Sequence, residues 1–174
     1  MIYLIYNHSY QKTINIVSIN SLNDNENYNT YLSDYLLKAN LNYKLNVDYS
    51  NNSLEIENLI ALINKNDNNI QNKIHLSDTL IISIGNIDYK TEDLKTIINE
   101  LKELFKLIRS INSKEIIFVS PYSIKNTYNL KELCNRYNII FINGSSFKDK
   151  PSLLAQMLIK RLENTWNSKK YWFI

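Results

Sequence analysis

Asp78-Thr-Leu-Ile-Ile-Ser-Ile-Gly-Asn-Ile-Asp-Tyr89 is the stretch on which the reading of this sequence turns. Leu80, Ile81, Ile82 and Ile84 form a short, β-branched apolar run, the pattern of a central parallel strand covered on both faces. Gly85 follows and permits a turn that a side chain would resist. Asn86 and Asp88 come at once afterwards. The chain has only 2 glycines, so one placed here marks a sharp stop. Polar groups at the carboxyl end of a parallel strand stand where open α/β sheets bind ligands.

Upstream of it, Ile2-Tyr-Leu-Ile-Tyr6 and Thr13-Ile-Asn-Ile-Val-Ser-Ile19 are both apolar, with a turn between them. The second is the better first strand of the sheet, because a polar loop over 20–27 and a helix over 28–39 follow it. The first is then a candidate edge strand, and the reverse assignment stays open. Tyr31, Leu32, Tyr35 and Leu36 define one face of the helix. A strand follows over 43–49, then a turn at Ser50-Asn-Asn-Ser53. Ser53 can cap a helix running to about residue 64. Residues 64–72 read as a polar surface loop.

Downstream, Thr91 or Asp88 can cap the longest helix, 92–111, whose Leu94, Ile97, Ile98, Leu101, Leu104, Phe105, Ile108 and Ile111 recur at helical spacing. A strand over 114–120 ends at Pro121. A helix over 128–137 and a strand over 139–142 come next, the latter ended by Asn143-Gly144. Pro151 suits the first turn of a last helix that runs to about residue 166. No internal repeat interrupts the alternation. The pattern predicts one α/β domain over 1–174: a three-layer sandwich around a five-stranded, mainly parallel, flavodoxin-like sheet.

Composition narrows the function classes. The chain has 174 residues, 44% of them hydrophobic and 21% charged, with a formal net charge of +3. Cations are interleaved with acids and form no basic block, which argues against nucleic acid as a partner. One cysteine, Cys134, forbids an internal disulfide and reads as a buried structural thiol. With 2 histidines beside it, a common zinc site is not expected. There is no glycine-rich phosphate loop, so no cofactor is expected. No apolar run approaches the roughly 20 residues that span a bilayer. The N-terminus lacks a basic leader segment, so an intracellular, soluble protein is expected. Heavy use of Asn, Ile, Lys and Tyr, with few Gly and Pro, is the bias of an AT-rich genome.

The strand ends supply the candidate site. They carry Asn20 and Ser21, Ser50 and Asn51, Gly85, Asn86 and Asp88, Ser120, and Asn143. In a parallel sheet these groups share one edge and line a crevice. Asn and Ser are also common in turns, so this reading competes with plain turn chemistry.

This layout resembles the SGNH (GDSL-type) hydrolases, esterases and lipases on a flavodoxin-like scaffold, over about 14–162. Ile19-Asn20-Ser21-Leu22 occupies the place of that family's Gly-Asp-Ser-Leu motif, which would make Ser21 the nucleophile. Asn7-His8-Ser9 is a poorer candidate. Gly85-Asn86-Ile87-Asp88 stands at the family's Gly-x-Asn-Asp block. Its oxyanion position holds Ile87, so Asn86 would have to serve. The resemblance has no glycine to offer in Tyr49-Ser50-Asn51-Asn52-Ser53. The family's Asp-x-x-His falls on Phe147-Lys-Asp-Lys150, where neither residue matches.

A serine hydroxyl is a weak nucleophile until a base takes its proton. His75 precedes the central strand, at the wrong end of the sheet. His8 reaches the mouth only if 2–6 is a parallel strand, and Lys150 serves only if buried. The resemblance therefore implies a degenerate, catalytically impaired member acting as a binding or assembly component. The alternative is an active serine esterase that uses Ser21, with Asn86 as oxyanion donor, on a small acyl ester. An unrelated flavodoxin-like or nucleotide-binding domain ranks last. The aromatic tail Tyr171-Trp-Phe-Ile174 either packs on the core or docks a protein partner or a second copy.

Overall fold

The computed structural model describes residues 13–21, 27–38, 43–48, 54–65, 68–85, 88–91, 93–124 and 127–170. Five strands form one sheet: β1 (Ile14–Asn20), β2 (Tyr43–Asp48), β3 (Thr79–Ser83), β4 (Glu115–Val119) and β5 (Ile140–Ile142). Their order is β2-β1-β3-β4-β5, and every pairing is parallel. The order reverses between β1 and β3, because the chain steps outward to β2 and then crosses back. Every residue of β3 is buried, as its unbroken apolar run requires of a strand with helices on both faces.

Side-chain alternation along the strands sorts the core into two layers. Ile16, Ile81, Ile117, Val119 and Ile142 pack with Leu32 and Leu36 of α1 (Asn29–Lys38) and with Leu154, Ala155, Leu158 and Leu162 of α7 (Pro151–Lys170). Val17, Ile19, Leu80, Ile82, Ile116 and Phe118 pack on the other side. There they meet α2 (Ile56–Asn64), α3 (Asn68–Leu76), α5 (Leu94–Ile111) and α6 (Tyr128–Arg136). A short α4 (Asp88–Thr91) precedes α5. Phe105 and Phe118 meet edge to face, with ring centroids 5.2 Å apart, at the centre of this second layer.

Three expectations are corrected. The polar stretch after α2 is not a loop: α3 occupies 68–76, because Ile70 and Ile74, one turn apart, are both buried. Its abundant asparagine masks that pair in the sequence. The helix expected over 92–111 is α5, and it is capped by neither Thr91 nor Asp88. Asp93 caps it, its carboxylate accepting the Lys95 and Thr96 N–H groups at 2.8 and 3.0 Å. These bonds hold the Asp93 carboxyl below its ordinary range. The last helix extends to Lys170, beyond the predicted end.

At the amino-terminal end of the sheet, the Arg109 guanidinium donates to the carbonyls of Tyr137 at 2.8 Å, Lys114 at 2.6 Å, Asn112 and Asn138. One side chain thus ties the end of α5 to the turn after α6. Ile2–Tyr6 and Tyr171–Ile174 lie outside the described residues. Among the described residues, no helix is long and apolar enough to cross a membrane.

Candidate functional site at the β1–β3 reversal

A reversal of strand order opens a crevice at the carboxyl edge, since the connections on its two sides leave in opposite directions. Here that place lies between β1 and β3. Asn20 pairs with Ser83, and the Ser21 N–H donates to the Ser83 carbonyl at 2.8 Å, extending the ladder past β1. Alternation puts Ser18, Asn20 and Ser83 on the layer that holds α1 and α7.

Tyr28, just before α1, closes over this face. Its hydroxyl lies 3.2 Å from Ser18 Oγ and 3.0 Å from Ser83 Oγ, and its ring is fully buried. Burial pushes the phenol above its ordinary value, and the two serine bonds pull weakly the other way. It is a neutral hydrogen-bonding group. Tyr31, placed by the sequence pattern on the apolar face of α1, is instead exposed. The available signal was the spacing of Tyr28, Leu32 and Leu36, which places all three on one helical stripe.

Two amides complete the neighbourhood in sequence. Asn20 is 0% exposed, and neither its Nδ2 nor its Oδ1 has a hydrogen-bond partner among the described residues. The same holds for the buried Asn29, which begins α1. A primary amide offers two donors and an acceptor with two lone pairs. Leaving such a group unmet in the interior costs about 1–3 kcal/mol. Ser21 is 2% exposed.

Asp88 is buried, and its Oδ1 accepts the Ile56 N–H at 3.1 Å, capping α2. Glu55, the residue at the cap position itself, makes no side-chain cap bond. A carboxylate also suits the positive end of a helix dipole. Gly85 has φ +104°, and its carbonyl accepts the Tyr89 N–H at 3.1 Å, so the turn after β3 needs glycine. The Tyr89 ring lies beside Gly85, and its phenol is raised, first by burial and then by the neighbouring Asp88.

Ser120 and Asn143 share this edge at β4 and β5. Ser120 Oγ accepts the Gly144 N–H at 3.0 Å. Asn143 Oδ1 accepts from the Ser145 N–H at 3.2 Å and the Ser145 hydroxyl at 2.8 Å, starting a single 3-10 turn at Gly144–Phe147. Both side chains hold the local backbone. Ser50, Asn51 and Asn86 lie outside the described residues, as does His8.

His75 sits in the last turn of α3, exposed, with Nδ1 3.3 Å from the Ile111 carbonyl, at the opposite end of the sheet. Lys150 is exposed where α7 begins. No described histidine stands at the mouth. Among the described residues, no group of three or more His, Cys, Asp or Glu is placed to hold a metal ion. The arrangement offers neutral hydroxyls and amides, which recognise ligands by hydrogen bonds.

No protein-family model and no curated protein matches this chain. A solved structure does: the lipase Lip_vut3 from a goat rumen metagenome, with a TM-score of 0.50 and 14% identity, over 75% of this chain and 80% of that one. The α/β fold with a five-stranded parallel sheet flanked by helices, flavodoxin-like in its strand order, is thus one that this lipase also has.

Proposed function

We propose that this chain is a degenerate SGNH hydrolase-like protein, catalytically impaired, that works as a binding or assembly component. The observation that carries this reading is the setting of Ser21. It stands at the strand end where the family places its nucleophile, yet it is 2% exposed, and the described histidine lies at the other end of the sheet. Phe147 and Lys150 stand where the family keeps Asp and His. A serine hydroxyl attacks an ester only when a base takes its proton, and the described histidine is at the opposite end of the sheet. The buried amides of Asn20 and Asn29, which meet no hydrogen-bond partner among the described residues, add polar groups at this strand end.

Intact-mass analysis after treatment with a fluorophosphonate probe tests this reading. The expected result is no adduct on the folded protein. A single adduct that disappears in Ser21→Ala would overturn it. The active esterase reading, with Ser21 as nucleophile, Asn86 as oxyanion donor and a small acyl ester as substrate, would then replace it. What favours that second reading is the position of Ser21 at the β1–β3 reversal, one residue past β1.

A further inference from the structure

A groove of about 750 Å³ lies between β5 and α7, at the edge of the sheet away from β1 and Ser21. β3 and β4 separate β5 from β1. Ile140, Ile142, Phe147 and Met157, which pack on the α7 layer, supply its apolar side chains, and Phe141, whose side chain packs on the other layer, borders it at the strand edge. Lys160 and Arg161 supply its charge, and Asn143, Ser146 and Asn164 its neutral polar groups. A volume of this size falls within the range of roughly 300–1,000 Å³ that small-molecule sites occupy.

The helix wall explains why the groove has this chemistry. α7 carries two stripes. Leu154, Ala155, Leu158 and Leu162 are buried in the core. Met157, Lys160, Arg161 and Asn164 recur at the i, i+3, i+4, i+7 spacing of a second face, and all four line the groove. A helix that served the core alone would need only the first stripe. Among the described residues the strand wall is an edge of the sheet. Ile142 O accepts the Ser120 N–H, so Ile142 faces β4 and the backbone N–H and C=O of Phe141 point outward.

Lys160 and Arg161 are exposed, and neither makes an ion pair with a described residue. Glu163, the acid nearest to them in sequence, does not line the groove. α7 runs from the mouth back along the sheet while β5 runs toward it. The cations therefore stand toward the Ile140 end, and Asn143 and Ser146 toward the mouth. The wall between them is about 10 Å long, from three strand residues or seven helix residues.

We propose that this groove binds a small amphipathic carboxylate, its alkyl or aryl body lying along Ile140, Phe147 and Met157 and its anion held by Lys160 and Arg161. Arginine offers a fork that matches a carboxylate. Methionine adapts its shape to an apolar guest. Two adjacent cations disfavour a second copy of this chain as occupant, because a two-fold contact would bring like charges together. The inference is independent of whether Ser21 is reactive.

Isothermal titration calorimetry with octanoate tests it on the full chain, with octylammonium as the cationic control. Octanoate should bind at one site, and octylammonium should not. Replacing both exposed cations, as Lys160→Gln with Arg161→Gln, should weaken octanoate by about tenfold. Met157→Trp, which fills the groove, should abolish binding while circular dichroism stays unchanged. No heat with octanoate, equal binding of both amphiphiles, or affinity indifferent to these substitutions in folded protein would each overturn the proposal.

Discussion

The Asp88 carboxylate caps a helix that begins 32 residues earlier in the chain, its Oδ1 accepting the Ile56 N–H at 3.1 Å. Asp88 thus joins the turn after β3 to the first turn of α2. Asp88→Ala should lower stability by about 1–2 kcal/mol, as loss of a helix cap does. Asp88→Asn keeps an acceptor and should recover most of it. Urea unfolding of the three proteins measures this.

Gly144 is pressed against the β4 end so closely that a Cβ there would lie 1.8 Å from the Ser120 carbonyl oxygen. The obstacle is backbone, which cannot swing aside. Gly144→Ala should cost about 3 kcal/mol, the upper end of usual overpacking. It should also disturb the Asn143–Phe147 turn. Thermal unfolding, with amide exchange at Ser145 and Ser146, reads both effects.

Tyr28 joins β1 to β3 through Ser18 and Ser83. Tyr28→Phe keeps the buried ring and removes one hydroxyl, leaving two serine hydroxyls to find other partners. A loss of about 1–2 kcal/mol is expected from such a deletion. Adding Ser18→Ala and Ser83→Ala should return part of it, because no hydroxyl then remains unmet. A triple-variant unfolding series measures the coupling.

Burial pushes the Cys134 thiol from its ordinary 9.0 to about 12. In the unfolded chain the thiol loses its proton first, so between about pH 9 and pH 12 the folded state binds more protons. Stability from this group is full below pH 9 and declines as the pH rises toward 12. Urea midpoints should fall across that window, and Cys134→Ala should fall less steeply. At pH 8 the native thiol should react with a disulfide reagent only as fast as the protein opens.

The alternation of strand and helix was legible because it rests on local patterns. Leu80 to Ile84 is a continuous apolar run, α5 has a regular apolar stripe, and Pro151 marks a helix start. The α3 helix was hidden, since only Ile70 and Ile74 among its asparagines signal a buried face. The strand ends that carry Asn20, Ser21, Gly85, Ser120 and Asn143 also followed from element order, because parallel strands put all their carboxyl ends on one edge.

What each of those residues does was decided by tertiary structure alone. Tyr28 meets Ser83 across 55 positions of chain, and Arg109 meets the Asn138 carbonyl across 29. No local pattern encodes such a pairing, because it depends on which elements the sheet order makes neighbours. The second stripe of α7 likewise becomes a groove wall only because β5 ends the sheet beside it. Local periodicity sets which segments are strands and helices through the burial of one face. Side-chain partners across the fold are set by packing, which exists only once those segments have met.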